Sequence, residues 1–357
     1  MKNKILTIIF IITIYSCLIL NIIIPDKDIS TEERRKLARF PDINYQNIID
    51  SSFSKDFDDY VLDQFILRDK LRMLKSIFEL NIYHKLDTNN IYILDNRIYN
   101  QEYILNTNSV INFTNKINNL YDKYLKNMNV YYTIIPDKNY YLNTNHPKLD
   151  YDKLYSITTS NLNRLKYIDI TNCLNLDSYY HTDIHWKQEK LNNVVSTLAQ
   201  NMNFTYTNNY TINKYYPFYG VYYHKTPTKV EPDTIYYLTN DIIDNVIVKD
   251  YESNLDIMYE LESLGSIDSY DVYLSGATPI ITIDNPNYQG KRELIIFRDS
   301  FSSSLAPLLI SGYSKITLID LRYMNSSSLE EYLEFNNQDV LIIYGTILVN
   351  NSFSIRG

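Results

Sequence analysis

The sequence predicts an α/β domain whose central, mostly parallel sheet is flanked by helices and preceded by an N-terminal transmembrane helix. Three observations predict this. Residues 5–24 form a single apolar run. Residues 294–297, 316–319 and 340–343 are short apolar runs separated by helix-length segments, the pattern of parallel βαβ units. Between these ends, apolar residues recur at three- and four-residue steps, as they do on the buried face of a helix.

The first run has about the 20 residues needed to cross a bilayer. Only Thr7, Thr13, Tyr15, Ser16 and Asn21 interrupt it. Lys2 and Lys4 precede it, so the positive-inside tendency puts the tip in the cytoplasm and everything after Pro25 outside. A cleaved signal peptide is the rival reading, but no small-residue cleavage pattern follows and the run exceeds the usual h-region. The expectation is a cell-membrane protein with a single-pass anchor over residues 1–24, a charged stalk over 25–52 and an extracytoplasmic domain over 53–357.

Within that domain, Phe53, Phe57, Tyr60, Val61, Ile66, Leu67, Leu71, Leu74, Phe78 and Ile82 mark an amphipathic helix or helix pair. Val110, Ile111, Phe113, Ile117, Leu120, Tyr124 and Leu125 mark another. Both stripes read as core packing. Residues 130–135 are β-branched and aromatic and stop at Pro136, as a buried strand would. Leu191, Val194, Val195, Leu198 and Met202 give a further helix. From about 203 to 275 the chain is Tyr-rich and broken by Pro217, Pro227 and Pro232, which predicts an irregular insertion of loops and short strands.

Composition removes several function classes. With 45% apolar and 14% aromatic residues the chain must fold. The 34 Lys and Arg against 42 Asp and Glu form no basic stripe, so nucleic acid is not an expected partner. None of the seven glycines builds a phosphate-cradling loop, so no nucleotide cofactor is indicated. Cys17 sits in the apolar run, which leaves Cys173 without a disulfide partner and rules out sulfur-based metal sites.

A histidine base has five candidates: His84, His146, His181, His185 and His224. Three of them stand alone, but His181 and His185 bracket Asp183. If extended, this segment points His181, Asp183 and His185 to one face; in a tight turn, Asp183 reaches the His185 ring directly. Either way a carboxylate can fix the imidazole tautomer. A metal at these residues lacks a further strong ligand and an open position, so none is expected. The nucleophile candidate is Ser300, after the 294–297 strand and before a helix, at the sheet rim where ligands bind in open α/β folds. Asp299, Ser300 and Ser302 are also ordinary helix caps, which is the competing reading. Arg298 and Arg322 are candidate buried partners of Asp299 and Asp320. Trp186 reads as a packing residue before a substrate platform.

Taken in order, the segments resemble the DHHW family of bacterial proteins, itself similar to the alginate O-acetyltransferase proteins and to SGNH-hydrolase-like domains. The pieces are the membrane segment, Glu32-Glu33-Arg34-Arg35-Lys36-Leu37-Ala38-Arg39-Phe40-Pro41, Asp63-Gln64-Phe65 with Arg68-Asp69, and Pro136-Asp137-Lys138. They continue with Thr182-Asp183-Ile184-His185-Trp186, Phe218-Tyr219-Gly220, Arg298-Asp299-Ser300-Phe301 and Asp320-Leu321-Arg322-Tyr323. Ile184 departs from the histidine in the family name. The resemblance implies an SGNH-like domain and a triad of Asp183, His185 and Ser300. It further implies polysaccharide O-acetylation beside a multipass membrane acyltransferase. Oxyanion or substrate contacts are expected from the amides of Ser300 or Phe301, with Tyr344, Arg298, His181 and Trp186 as further candidates. Water as acceptor would make the chain a carbohydrate esterase, and loss of chemistry would leave a polysaccharide-binding or assembly factor.

Overall fold

The structure, a computed structural model, describes residues 2–30, 33, 35–226, 230–251 and 257–356. Glu32, Arg34, Pro227 and the side chain of His224 lie outside the described residues. The chain forms two compact units, one of residues Met1–Ile91 with Tyr223–Lys229, the other of Tyr92–Tyr222 with Val230–Gly357.

In the first unit, α1 (Lys2–Ile23) contains a 20-residue stretch long and apolar enough to cross a membrane, with its side chains exposed. A minimal hairpin of β1 (Ile29–Ser30) and β2 (Arg35–Lys36) follows, then α2 (Tyr45–Ile49), α3 (Ser52–Gln64) and α4 (Arg68–Asn81). The stretch read as a stalk is tied back to α3. Asp63 accepts from Arg35 Nη1 and Nη2 at 2.7 and 2.5 Å and from the Ala38 amide at 2.9 Å, while Gln64 Oε1 accepts from the Lys27 amide at 3.0 Å. The Arg35 hydrogen bond, with help from the Ala38 amide, holds the Asp63 carboxyl down at about 2 against the effect of burial. Two motifs far apart in sequence thus meet. The apolar stripe of α3 and α4 is not core: neither helix buries an apolar residue. Phe53, Phe57 and Tyr60 instead pack their rings with Phe40. Within this unit, the short helices supply no second layer for the stripe among the described residues.

The second unit carries the sheet. A hairpin of β3 (Ile91–Leu94) and β4 (Arg97–Asn100) leads into α5 (Thr107–Leu120), capped by Asn106 and continued by a π-helical turn to Leu125. Then come β5 (Asn129–Ile135), α6 (Tyr151–Asn161), β6 (Lys166–Tyr167) and α7 (Asn192–Met202). The Tyr-rich stretch yields an antiparallel pair, β7 (Thr211–Phe218) with β8 (Asp233–Thr239), and an edge strand β9 (Ile247–Asp250). The chain ends on β10 (Ile280–Asp284), β11 (Glu293–Arg298), α8 (Phe301–Leu309), β12 (Lys315–Ile319), β13 (Asp339–Gly345) and α9 (Thr346–Asn350).

Seven strands form one sheet in the order β6-β5-β13-β11-β12-β10-β9. The first five are parallel; β10 runs antiparallel to both β12 and β9. Strand alternation sorts the core into two faces. Leu294, Ile296, Leu341 and Ile343 pack with α7 and α8. Ile295, Phe297, Val340, Ile342 and Tyr344 pack with α5 and α6. The expected α/β layering is therefore the one found. It brings the carboxyl ends of β5, β13 and β11 side by side, where open α/β sheets bind ligands.

Those three ends are stitched together by side chains. Asp299, just after β11, accepts from the Gly345 amide of β13 at 2.7 Å. Thr346, just after β13, donates to Asp137 Oδ2 at 2.8 Å and accepts from the Asp137 amide at 3.1 Å. Tyr151 donates to the same Asp137 carboxylate at 2.9 Å. Burial pushes the Asp137 and Asp299 carboxyls up, partly offset by these donors.

Candidate active site

Ser300 opens α8 with φ −61° and ψ −21°, and its hydroxyl caps no helix amide. Asp299 supplies the cap instead, Oδ1 accepting from the Phe301 amide at 3.1 Å. The Ser300 hydroxyl is thereby free to face His185, whose Nε2 lies 2.7 Å from Oγ. The other ring nitrogen, Nδ1, is 2.6 Å from Asp183 Oδ1, which also accepts the His185 amide at 2.9 Å. The segment is the tight turn, not the extended form: Tyr179 and Trp186 bridge its ends and the Tyr180 amide donates to His185 O at 3.2 Å.

Asp183 is only 1% exposed. Burial pushes its carboxyl up, but the His185 ring and the hydrogen bonds from the His185 and Val221 amides outweigh burial together and hold it below the usual carboxylate range. An ionised carboxylate only accepts, so Nδ1 carries the ring proton and Nε2 offers its lone pair to the Ser300 hydroxyl. The arrangement can take a proton from Oγ and return it elsewhere.

Several further residues hold this geometry. Tyr270 stacks flat on the His185 ring, centroids 3.7 Å apart and planes within 5°, and its hydroxyl donates to Ser304 Oγ at 2.9 Å. Val221 donates its amide to Asp183 Oδ2 at 2.8 Å, and the Gly220 amide donates to Thr182 Oγ1 at 2.9 Å. Gly220 fits because the chain passes close over Asp183: a Cβ there would lie 2.6 Å from Asp183 Cα. Asp233 accepts the amides of His181 and Thr182 at 2.9 and 2.8 Å and the Thr182 hydroxyl at 2.7 Å. Gly220 belongs to the Phe218-Tyr219-Gly220 motif, while Tyr270 and Asp233, in the same Tyr-rich stretch, belong to no motif.

A cavity of about 310 Å³ opens beside Ser300, lined in part by Ile184, Phe301, Arg322, Ile347 and Leu348. The secondary candidates fall in different places. Phe301 lines this cavity, but its amide is engaged by Asp299. Tyr344 points to the α5 side of the sheet, edge-on to Phe113. Trp186 is a packing residue, its Nε1 donating to Phe301 O at 3.0 Å and Ser304 Oγ at 2.9 Å. His181 is half-buried beside the triad turn, and burial lowers its ring's basicity. Arg298 is fully buried and donates to Ser303 Oγ at 3.0 Å; it makes no ion pair with Asp299 because its side chain turns toward α8. Arg322 does pair with Asp320, Nη2 to Oδ2 at 2.6 Å. His146 stacks on Tyr92, and no His, Cys, Asp and Glu cluster suited to a metal occurs among the described residues.

The fold and this rim define an open α/β protein with a serine and a histidine in contact at the carboxyl ends of its parallel strands. No protein-family model matches the sequence, and no curated relative matches it. Among solved structures, the chain is similar to a DHHW family protein from Eubacterium siraeum, with TM-score 0.63 and 18% identity over 75% of this chain and 95% of that one. It is also similar to Bacillus cereus PatB1, with TM-score 0.59 and 20% identity over 72% of this chain and 96% of that one. A further PatB1 structure, carrying a sulfonyl adduct, gives TM-score 0.58 at 18% identity over 72% and 95%. The fold is thus the one that the sequence motifs resembled.

Proposed function

We propose that the chain is a membrane-anchored, extracytoplasmic O-acetyltransferase acting on a cell-wall or exopolysaccharide through Ser300, His185 and Asp183. The observation that carries this reading is the 2.7 Å approach of His185 Nε2 to an uncapped Ser300 Oγ beside a ligand-sized cavity. His185 takes the hydroxyl proton as Oγ bonds to the carbonyl carbon of an acetyl ester, then gives that proton to the departing alcohol oxygen as the ester bond breaks. In the second half a sugar hydroxyl attacks the acetyl-serine, losing its proton to His185, which returns it to Ser300 Oγ. Asp183 holds the imidazole and balances its transient charge. The Ser300 amide and the Arg322 guanidinium are assigned to the oxyanion, since the Phe301 amide is engaged. A partner that delivers acetyl groups across the bilayer, a multipass acyltransferase, would supply the donor.

A sulfonyl adduct on a protein of the same fold favours an activated nucleophile here too. An aryl sulfonyl fluoride should label the wild-type protein at Ser300, and Ser300→Ala should lose both this label and acetyl-enzyme formation from p-nitrophenyl acetate. Labelling that persists in Ser300→Ala would falsify the reading. Transfer to water alone, read as free acetate with no ester gained on added polysaccharide, would make the chain an esterase.

A further inference from the structure

Lys138 follows the end of β5 and takes no part in the proton transfers above, yet its ammonium is fully engaged beside the site. The residue is 3% exposed. Nζ donates to three main-chain carbonyls, of Tyr180 at 3.1 Å, His181 at 3.2 Å and Asp183 at 2.8 Å. The carbonyl between them, of Thr182, is taken by the Tyr222 amide at 3.0 Å. An ammonium has three donors, and all three are spent on one turn of backbone. The rings of Tyr99 and Tyr222 flank the charge at 5.2 and 5.3 Å. Among the described residues no carboxylate lies within ion-pair distance of it. Burying a cation without a direct counterion is unfavourable, and what it gains here is convergence of three carbonyls.

Asp233 does the converse, gathering the amides of the same turn. The turn that carries Asp183 is therefore gripped by a cation on its carbonyls and an anion on its amides. We propose that Lys138 is a positioning residue for the triad, fixing the backbone from Tyr180 to Asp183 so that the carboxylate meets His185 Nδ1. The inference rests on the triad reading above and extends it to the Pro136-Asp137-Lys138 motif.

The test uses the full chain with Lys138→Met, which keeps an unbranched apolar stem, and Lys138→Arg, whose planar fork cannot converge on three carbonyls. Turnover of p-nitrophenyl acetate should fall about 100-fold in kcat for Lys138→Met, the scale of a small misplacement of a catalytic group, with KM little changed. Lys138→Arg should not restore it. The low-field proton resonance of the carboxylate-bonded His185 Nδ1–H should shift or vanish in Lys138→Met while near-UV circular dichroism stays native. The pH profile supplies another readout. Burial pushes the ammonium down to about 7, against the attraction of Asp233 and Asp183. The groups facing it are Asp137 of its own turn, His181 and Asp183 of the gripped turn, Asp233 of β8, Arg97 and Tyr99 of β4, and Tyr222. Wild-type activity should decline above about pH 7 as the third donor is lost, and Lys138→Met should lack that limb.

Wild-type kcat in folded Lys138→Met, or a lost kcat with the resonance unmoved, overturns the proposal. Should Lys138→Met fail to fold, Lys138→Gln, whose amide keeps two donors, carries the same readouts. If wild-type turnover proves independent of Ser300, the acyl-transfer reading fails, while the resonance still decides whether Lys138 sets the Asp183–His185 contact.

Discussion

Gly220 shows how little room there is around Asp183 at the scale of single residues. Any side chain there would enter the space of Asp183 and Thr182. Gly220→Ala should cost about 1–3 kcal/mol of stability through overpacking and lower kcat about 100-fold by displacing the carboxylate. Urea denaturation and ester turnover measure the two effects, and an unchanged kcat would remove Gly220 from the set of positioning residues. Titration separates the residues further. Asp183, depressed in the fold, contributes stability above the ordinary carboxylate value of 3.8 that is lost as pH falls below it. Lys138, depressed from 10.5 to about 7, leaves the unfolded chain binding the extra proton between those values, so this group favours folding increasingly as pH rises through that window. Activity and stability should therefore part company on the alkaline side, with the urea midpoint of wild type gaining on that of Lys138→Met. The juxtaposition of Asp183, His185 and Ser300 was legible in the sequence because the proposed roles admit few residue types. Lys138 was visible only as part of a motif, since a lysine's role depends on which carbonyls converge on it. That the Phe301 amide is engaged by Asp299 could not be read from the sequence, since it depends on the Asp299 rotamer.

At the scale of elements, the parallel strands were readable because burial on both faces makes them continuous apolar runs. β11, β12 and β13 match the three runs seen in sequence to within two residues. β9 and β10 were not seen: short antiparallel strands near a sheet edge carry mixed patterns, and β9 is half polar. The α3 and α4 stripe failed for the opposite reason, since periodicity reports a helix face but not what covers it. The stitching between strand ends invites its own test. Thr346→Val removes the hydroxyl that serves both the Asp137 carboxylate and the Asp137 amide across β5 and β13. Leaving those buried groups without it should cost about 1–3 kcal/mol, read as a lower urea midpoint at unchanged slope. A change in slope would instead mean that the rim separates before the sheet does.

For the whole molecule, the exposed apolar α1 sets the most direct expectation. The full chain should resist carbonate extraction from membranes, and a variant lacking residues 1–24 should not. Extraction of the full chain at its original length would rule out a bilayer-spanning anchor, and extraction at reduced length would mean that the segment is a cleaved signal. The placing of β13 has a different consequence. It lies between β5 and β11, pairing with β5 across 210 positions of chain, so the middle of the five parallel strands is the latest to be synthesised. Until it arrives, the earlier strands have a gap where two hydrogen-bonding edges await one partner, and Ser300 has no completed rim to stand on. Closing the sheet therefore waits on the last strand made, and on contacts between residues very distant along the chain, which places the rim among the late events of folding.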